Sequence, residues 1–557
     1  MPFMAGKQAF LALLRQEGVE YLFGNPGTTE LPLMDGLVAE TGIRYVLGLQ
    51  EAAVVAMADG YAQASGRLAV VNVHVAPGLG NALGMLYDAQ KAGSPLLLTA
   101  GQHDQTFNFT EPILWADLPP IARPFVKWSA EVRRLPDLAR AVHRAAKTAL
   151  APPAGPVFLS LPADVLNAEA EVELGSPTRV AGRVRGDRAA VEAAAELLAG
   201  AERPLIMAGD GVAQADALAE LVRVAELLGA TVYAEAVPNT ASFPASHALF
   251  RGALVRQAAA VRQALSQADV LFSVGADLLT MSLPSDLDPM PEELAIVHLD
   301  IDPWELGKNY PTRVAILGDP KATLPDLAAA LEVRLTAEQR GRARQRLEAA
   351  RAAKARHRED LAARARADAL RVPISPLALM HAIAEALPPE AVVVDESISS
   401  GAGLRMFLRS DDRRSFFGLR GGGIGWGLPA SIGVKLALPD RPVVGLIGDG
   451  SALYTCQALW TAAHEKVPAV FVILNNASYR ILKQRVHAMK GLAAQHDRYV
   501  GMDLEDPRVD FVGLARSFGV EAERIEKLSD VPPALARALD RREPTLLDVA
   551  LERAFKP

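Results

Sequence analysis

The chain has 557 residues, half of them apolar, and 58 basic against 65 acidic side chains give a formal net charge of −7. That length is too great for one core and points to about three domains, while the mild acidity, with no basic face interleaved with aromatics, argues against nucleic acid as a main partner. A single cysteine, Cys456, rules out an intramolecular disulfide framework; the opening stretch is too broken by charge for a secretory leader, and no apolar run is long enough for a bilayer span, so the expectation is a cytoplasmic protein with no membrane partner.

In chain order, residues 1–170 alternate predicted helices (Gly6–Glu17, Ala52–Ser65, Leu79–Ala92) with short apolar strands (Tyr45–Leu49, Ala69–Val73, Pro95–Thr99, Pro156–Ser160). Such alternation predicts a parallel sheet with helices on both faces. The polar stretch Asn167–Arg185 reads as a linker. Residues 186–335 repeat the rhythm, with strands at Pro204–Ala208, Thr231–Ala234, Val270–Val274 and Ile296–Asp300. Val274-Gly-Ala-Asp277 and His298-Leu-Asp-Ile-Asp302 have the look of a doubly wound, nucleotide-type sheet. No G-x-G-x-x-G opens it, so nothing positive points to a dinucleotide. Residues 336–371, rich in Ala, Arg and Glu, predict a linker helix, either solvated and laced with i,i+4 pairs or basic and amphipathic. The last block, 372–557, carries strands at Ala391–Asp395, Pro442–Ile447, Ala469–Leu474 and Pro544–Val549. The fold class is therefore α/β, three doubly wound parallel-sheet domains, the first and third alike in layout without a residue-level repeat.

The most informative segment is Pro442-Val-Val-Gly-Leu-Ile-Gly-Asp-Gly-Ser451 followed by Pro468-Ala-Val-Phe-Val-Ile-Leu-Asn-Asn476. It sets a carboxylate and an amide at the C-terminal ends of parallel strands, where α/β sheets bind ligands. Mg²⁺ prefers octahedral oxygen ligands and keeps diphosphate oxygens and water. Asp449, Asn476 and the Ser478 carbonyl supply three such oxygens. Gly448 and Gly450 let backbone approach a phosphate, and a helix starting near Ser451 offers free N–H groups. The bland alternative is an ordinary Gly-rich turn. Upstream, Glu51 sits at a strand-to-helix junction, where the macrodipole alone would favour an acid.

The Gly-Asp-Gly and Asn-Asn pairing resembles the thiamin-diphosphate signature. With Phe23-Gly-Asn-Pro-Gly-Thr28-Thr-Glu30, Leu49-Gln-Glu51-Ala, Ala58-Asp-Gly-Tyr-Ala-Gln-Ala-Ser65, Asn72-Val-His74 and Pro124-Phe-Val-Lys-Trp128, essentially the whole chain resembles the thiamin-diphosphate-dependent 2-oxoacid decarboxylase and acetohydroxyacid synthase superfamily. Its first block is most similar to benzoylformate decarboxylases. The resemblance implies pyrimidine-binding, middle and diphosphate-binding domains, with thiamin diphosphate and Mg²⁺ as cofactors. It implies that Glu51 hydrogen-bonds the aminopyrimidine ring nitrogen, that the Gly422 carbonyl accepts from the amino group, and that Ile424 is the apolar wedge bending the cofactor. Ser399, Gly448, Asp449, Gly450, Ser451, Asn476, Ser478 and Tyr479 would surround the diphosphate and metal. His74 would transfer a proton and Thr28 would meet the substrate carboxylate, although a lone His is also a common structural residue. The implied reaction is decarboxylation of a small-molecule 2-oxoacid to an aldehyde, with carboligation to 2-hydroxyketones or acetohydroxyacids as a side activity or the alternative. The implied assembly is a homodimer or homotetramer with active sites between subunits. There are departures: Ser282 stands where benzoylformate decarboxylases carry a second histidine, Gly418 and Arg485 replace pocket aromatics, and Arg480 follows Tyr479. Either arginine would face a second anionic group on a substrate or turn to solvent.

Overall fold

The computed structural model describes residues 1–555 apart from Pro238 and Ser282; the Ser282 substitution therefore lies outside the described residues. Three six-stranded sheets organise the chain, and every pairing within them is parallel. The first runs from Tyr21–Gly24 through Arg44–Leu47, Ala69–His74, Leu96–Gln102 and Ser129–Glu131 to Val157–Pro162. Numbered within its own block, its strand order is 2-1-3-4-6-5. The third sheet, from Val392–Glu396 to Thr545–Ala550, has the same order. The likeness of the outer blocks is thus topological, although their residues do not repeat. The middle sheet, from Pro204–Ala208 to Val314–Leu317, runs 3-2-1-4-5-6, the order of dinucleotide-binding sheets.

The strands that sequence patterning finds are the central ones. Val443–Gly448 and Ala469–Asn475 are apolar and buried almost end to end, as strands covered by helices on both faces must be. Each sheet also holds two strands the patterning misses: Tyr21–Gly24 and Ser129–Glu131, Phe250–Ala253 and Val314–Leu317, Phe416–Gly418 and Glu521–Ile525. Most are short, and several sit at sheet edges, where polar residues and glycine replace the apolar run. The polar linker is irregular apart from Glu169–Glu171, which pairs antiparallel with Phe3–Ala5 and ties the end of the first domain to its beginning. The linker helix is Ala337–Ala367. It is not solvated all round: Ala343, Ala350, Ala362 and Ala365 are buried, and Lys354 donates to the carbonyls of Ala245 and His247, docking one edge on the middle domain. No helix among the described residues is long and apolar enough to cross a membrane.

The first and third domains share one apolar cluster. The helix Glu51–Ser65 crosses Gly427–Ala437 at glycines on both sides. A Cβ on Gly60 would fall 2.5 Å from the Ala430 carbonyl oxygen, and one on Gly433 only 1.8 Å from that of Met57. Backbones this close leave no freedom in the approach. They set the position of the loop Arg420–Trp426 just ahead of the second helix.

Candidate active site

Gln50 caps the helix that begins at Glu51, its side chain accepting from the Ala53 N–H at 3.1 Å. Glu51 is therefore a helix-start acid, as the macrodipole favours, but it is also only 8 % exposed and held at both oxygens. Asn25 Nδ2 donates to Oε1 at 3.2 Å and Asn81 Nδ2 to Oε2 at 3.0 Å. Helix surface charges do not need such a fixed cradle.

Beside it lies a second carboxylate, Glu30, buried and held by the N–H groups of Gly27 (2.9 Å) and Gly101 (2.8 Å) and the Thr29 hydroxyl (2.9 Å). Glu30 Oε2 lies 2.8 Å from His74 Nδ1. Thr29 Oγ1 is 3.0 Å from the same nitrogen. The hydrogen bond to Glu30 is the main cause of a raised His74 pKa, against the opposing effect of burial. Gly27 is required here: a Cβ would sit 2.2 Å from the His74 ring. The imidazole thus has one nitrogen locked to a carboxylate while Nε2 has no described partner, the arrangement of an oriented proton donor. Thr28 is exposed and makes no described hydrogen bond; the hydroxyl that touches His74 is that of Thr29.

At the third sheet, Asp449 follows Gly448 at the strand end and begins a turn of helix, Asp449–Ala452, shorter than the sequence suggests; a separate helix, Ala458–His464, follows. Asp449 is 3 % exposed. Its Oδ1 accepts from the Gly450 N–H at 2.9 Å, whereas Oδ2 is buried without a partner. Burial pushes its pKa up to about 6. An orphaned buried carboxylate oxygen is costly unless something cationic takes it, which fits a divalent cation. Asn476 Oδ1 accepts from the Ser478 N–H (3.1 Å) and hydroxyl (2.9 Å). Ser478 and Asp503 form an antiparallel bridge whose bonds run through Tyr479 N and Leu504 N, leaving the Ser478 carbonyl out of it. Gly450 lies against the Tyr479 ring, where a Cβ would come within 2.6 Å, so the two strand ends converge. No group of three His, Cys, Asp or Glu that could hold a metal occurs among the described residues; this donor set, with one carboxylate, one amide and one carbonyl, suits an ion completed by phosphate oxygens.

The glycine segment is held by buried carboxylates. Glu396 accepts from the N–H groups of Gly425 (2.6 Å) and Gly427 (2.5 Å), and burial raises its pKa to about 7. Asp88, from the first domain, accepts from Gly423 N–H at 3.0 Å, and burial raises it to about 8. A Cβ on Gly421 would strike Asp88 Oδ1 at 2.1 Å. The Trp426 indole N–H donates to Asp59 at 2.7 Å. Gly422 itself has φ +89° and nothing within 4 Å of where a Cβ would be, an open backbone surface against which a flat ligand can lie. Ile424 is half-buried next to it. Ser399 lies half-buried in the turn after Ile398, and Ser451 is buried.

The sequence alone gives no role to Glu30, Asn25, Asn81, Asp59, Asp88 or Glu396. One signal was available: Asp59 and Asp88 interrupt otherwise apolar helices, and a buried acid must be partnered. Of the two arginines, Arg480 lies nearest Glu552, with its Nε and Nη1 buried and unpaired and its pKa lowered by burial. Arg485 carries a like charge that, after burial, helps to lower the pKa of Arg256. Gly418 is buried at a strand end, its N–H donating to the Asn239 carbonyl at 2.7 Å.

Family models for the thiamine pyrophosphate enzyme N-terminal, central and C-terminal domains match residues 4–110, 191–327 and 400–549. A benzoylformate decarboxylase from Pseudomonas aeruginosa is 35% identical over 540 residues, 96% of this chain and 97% of that protein. An acetolactate synthase from Arthrospira platensis is 30% identical over 99% of this chain and 94% of its own. The solved thiamine diphosphate-dependent 4-hydroxybenzoylformate decarboxylase of Rhodococcus jostii RHA1 superposes with a TM-score of 0.86 at 31% identity, covering 99% of this chain and 100% of that one. Sheet topology, domain order and these matches agree: the chain belongs to the thiamine pyrophosphate enzyme family.

Proposed function

We propose that this enzyme is a thiamin-diphosphate- and Mg²⁺-dependent, non-oxidative 2-oxoacid decarboxylase that releases an aldehyde, resembling benzoylformate decarboxylases in its proton chemistry. The observation that carries this reading is the Glu30–His74 pair beside the cradled Glu51. A held imidazole with a free Nε2 favours protonating a product over joining it to a second carbonyl compound. Thiamin diphosphate, when bound, supplies the electron sink for loss of CO₂. Glu51 holds and exchanges a proton at the pyrimidine ring nitrogen, with Asn25 and Asn81 fixing its orientation. The Gly422 carbonyl and Ile424 orient the pyrimidine. Asp449, Asn476 and the Ser478 carbonyl would hold the cation. Gly448, Gly450, Ser451, Tyr479 and Ser399 border the diphosphate, and Thr28 offers its exposed hydroxyl to the substrate carboxylate.

The substrate we propose is smaller or more polar than benzoylformate. Gly418 and Arg485 supply no aromatic surface, and the like charges of Arg256 and Arg485, near enough for one to act on the other, would favour an anionic or polar group. The comparison to make is kcat/KM for benzoylformate, pyruvate and 2-oxoglutarate, each with and without an added aldehyde. Benzoylformate should be the poorest of the three. A clear lead for benzoylformate would contradict the substrate proposal, and ligation without free aldehyde would contradict decarboxylation as the main reaction.

The active sites are proposed to lie between two chains. Within one chain the glycine segment of the third domain meets the first at Asp59 and Asp88. Asp59 is about 12 Å along its helix from Glu51, and Asp88 about 15 Å along the next helix from Gly78, which touches Glu51. Glu51 is therefore free to serve a neighbour's third domain. Mixing dissociated Asp449→Ala and Glu51→Gln chains, each inactive alone, should restore roughly a quarter of wild-type activity, because about half the dimers would be hybrids with one intact site of two. No recovery on mixing would place both residues in one chain's site.

Glu30 raises the His74 pKa, so the imidazolium that would donate a proton persists to higher pH than an ordinary histidine, and it is lost as pH rises through that raised value. In Glu30→Gln the supporting charge is gone, and the alkaline limb of the kcat profile should move to lower pH. A limb that stays in place would show that another group delivers the proton.

A further inference from the structure

The middle sheet reverses its strand order between Pro204–Ala208 and Val270–Val274. The crevice outside the C-terminal ends of those strands is where sheets of this order take a dinucleotide. Here the crevice is filled from outside by Arg420 of the third domain, the residue immediately ahead of the glycine segment. Its Nη2 donates to Glu235 Oε2 at 2.9 Å and lies 3.0 Å from Asp277 Oδ2, while Nη1 lies 3.6 Å from Asp210 Oδ2 and donates to the Val237 carbonyl. The guanidinium is 10 % exposed and Glu235 3 %.

Glu235 also closes the strand ends. Oε1 accepts from the Asp210 N–H and Oε2 from the Asp277 N–H, both at 3.1 Å. The N–H that opens the turn Asp210–Gln214, where a bound phosphate would be received, thus holds a carboxylate of the protein itself. The backbones also meet between the two strand ends: a Cβ on Gly209 would lie 2.1 Å from the Gly275 carbonyl oxygen, and one on Gly211 2.7 Å from Gly275 Cα. Three carboxylates at the mouth, Asp210, Glu235 and Asp277, would repel a diphosphate. Next to them the middle domain is stitched to the third, with Thr240 bridged to Phe417 and the Asn239 carbonyl accepting from Gly418.

We infer that Arg420 is a positioning residue for the cofactor-binding loop, and that the middle domain, its ligand crevice plugged by that side chain, is the loop's anchor and not a nucleotide or flavin site. This rests on the proposal above that thiamin diphosphate lies against Gly422 and Ile424. Gly421, Gly422 and Gly423 carry no side chains of their own, so the path of the segment is set by what grips it. Asp88 holds it at Gly423 and Glu396 holds its far end. Arg420 is the grip at the near end. The planar guanidinium matters as well as its charge, because it reaches two carboxylates and a carbonyl from one fixed plane.

The test is thiamin diphosphate affinity at saturating Mg²⁺, measured by calorimetry alongside the melting temperature of the cofactor-free protein, in wild type, Arg420→Met, Arg420→Lys and the double variant Arg420→Met/Glu235→Gln. Arg420→Met should weaken cofactor binding by about tenfold or more, and Arg420→Lys should recover part of the loss. Removing one partner of a buried ionic cluster can unfold a protein; the double variant removes the acid left most buried and should retain the weakened cofactor affinity in a folded protein. A lower melting temperature with unchanged cofactor affinity would overturn the positioning role. Titration of wild type with NAD⁺, FAD or ADP to about 1 mM should give no binding heat, and saturable binding would overturn the plugged crevice. Failure of the wild type to take up thiamin diphosphate would instead contradict the proposed function.

Discussion

The interaction on which the rest depends is the acceptance of backbone N–H groups in a glycine-rich loop by buried carboxylates. Eight residues from Arg420 to Gly427 include five glycines, and each costs about 0.5–1 kcal/mol of ordering relative to alanine in regular structure. Apart from the buried Trp426, such a segment has little side-chain packing to hold it. Glu396 and Asp88 supply the restraint through three N–H groups, and Trp426 adds a fourth bond to Asp59. Burial penalises these acids, pushing Glu396 up to about 7 and Asp88 to about 8. The N–H donors offset part of that penalty. Gly421, Gly423 and Gly427 are there because Asp88 and Glu396 approach so closely that a Cβ would collide. Acid and glycine are one device, and Gly422 is left exposed in the middle of it.

The three sheets divide the work in a way that follows from their strand order. The outer two share an order and each presents chemistry at its C-terminal strand ends: Glu30, Glu51 and His74 on one, Asp449 and Asn476 on the other. The middle sheet has the order associated with dinucleotides, yet its strand ends carry acids engaged with an arginine from another domain. A fold does not fix a function, and here the difference between a ligand crevice and an anchor is made by Glu235 taking the two N–H groups a phosphate would need. The tight helix crossing at Gly60 and Gly433 then holds the first and third domains in one core.

Much of this was legible in the sequence, for physical reasons. Central strands such as Val443–Gly448 announce themselves because they are buried on both faces; edge strands such as Glu521–Ile525 do not, because one side is free to be polar. The positions of Asp449 and Asn476 at strand ends could be read because an apolar run leads into each, one crossover apart. Glu30 could not be singled out that way. It stands beside two threonines in a turn, and only the fold brings it to His74, 44 residues away in the chain. The same holds for Arg420 and Glu235, which are 185 residues apart. Thr28 and Thr29 illustrate a finer limit: the family resemblance points to the first hydroxyl, and only the folded backbone shows that the second of the two faces the imidazole.

A carboxyl fixed by two asparagines, Glu51, is proposed to activate the cofactor by proton exchange. The most direct measurement is the rate at which the thiazolium C2 proton of bound thiamin diphosphate exchanges in D₂O, followed by quench and NMR in wild type and Glu51→Gln. The amide keeps the size but only one of the two acceptor oxygens, so one asparagine must turn its own carbonyl to the new NH2 group; it cannot exchange the proton, and the rate should fall by about 10²–10⁴-fold. Equal rates in the two proteins would contradict the account, leaving Glu51 as no more than the acid that starts its helix.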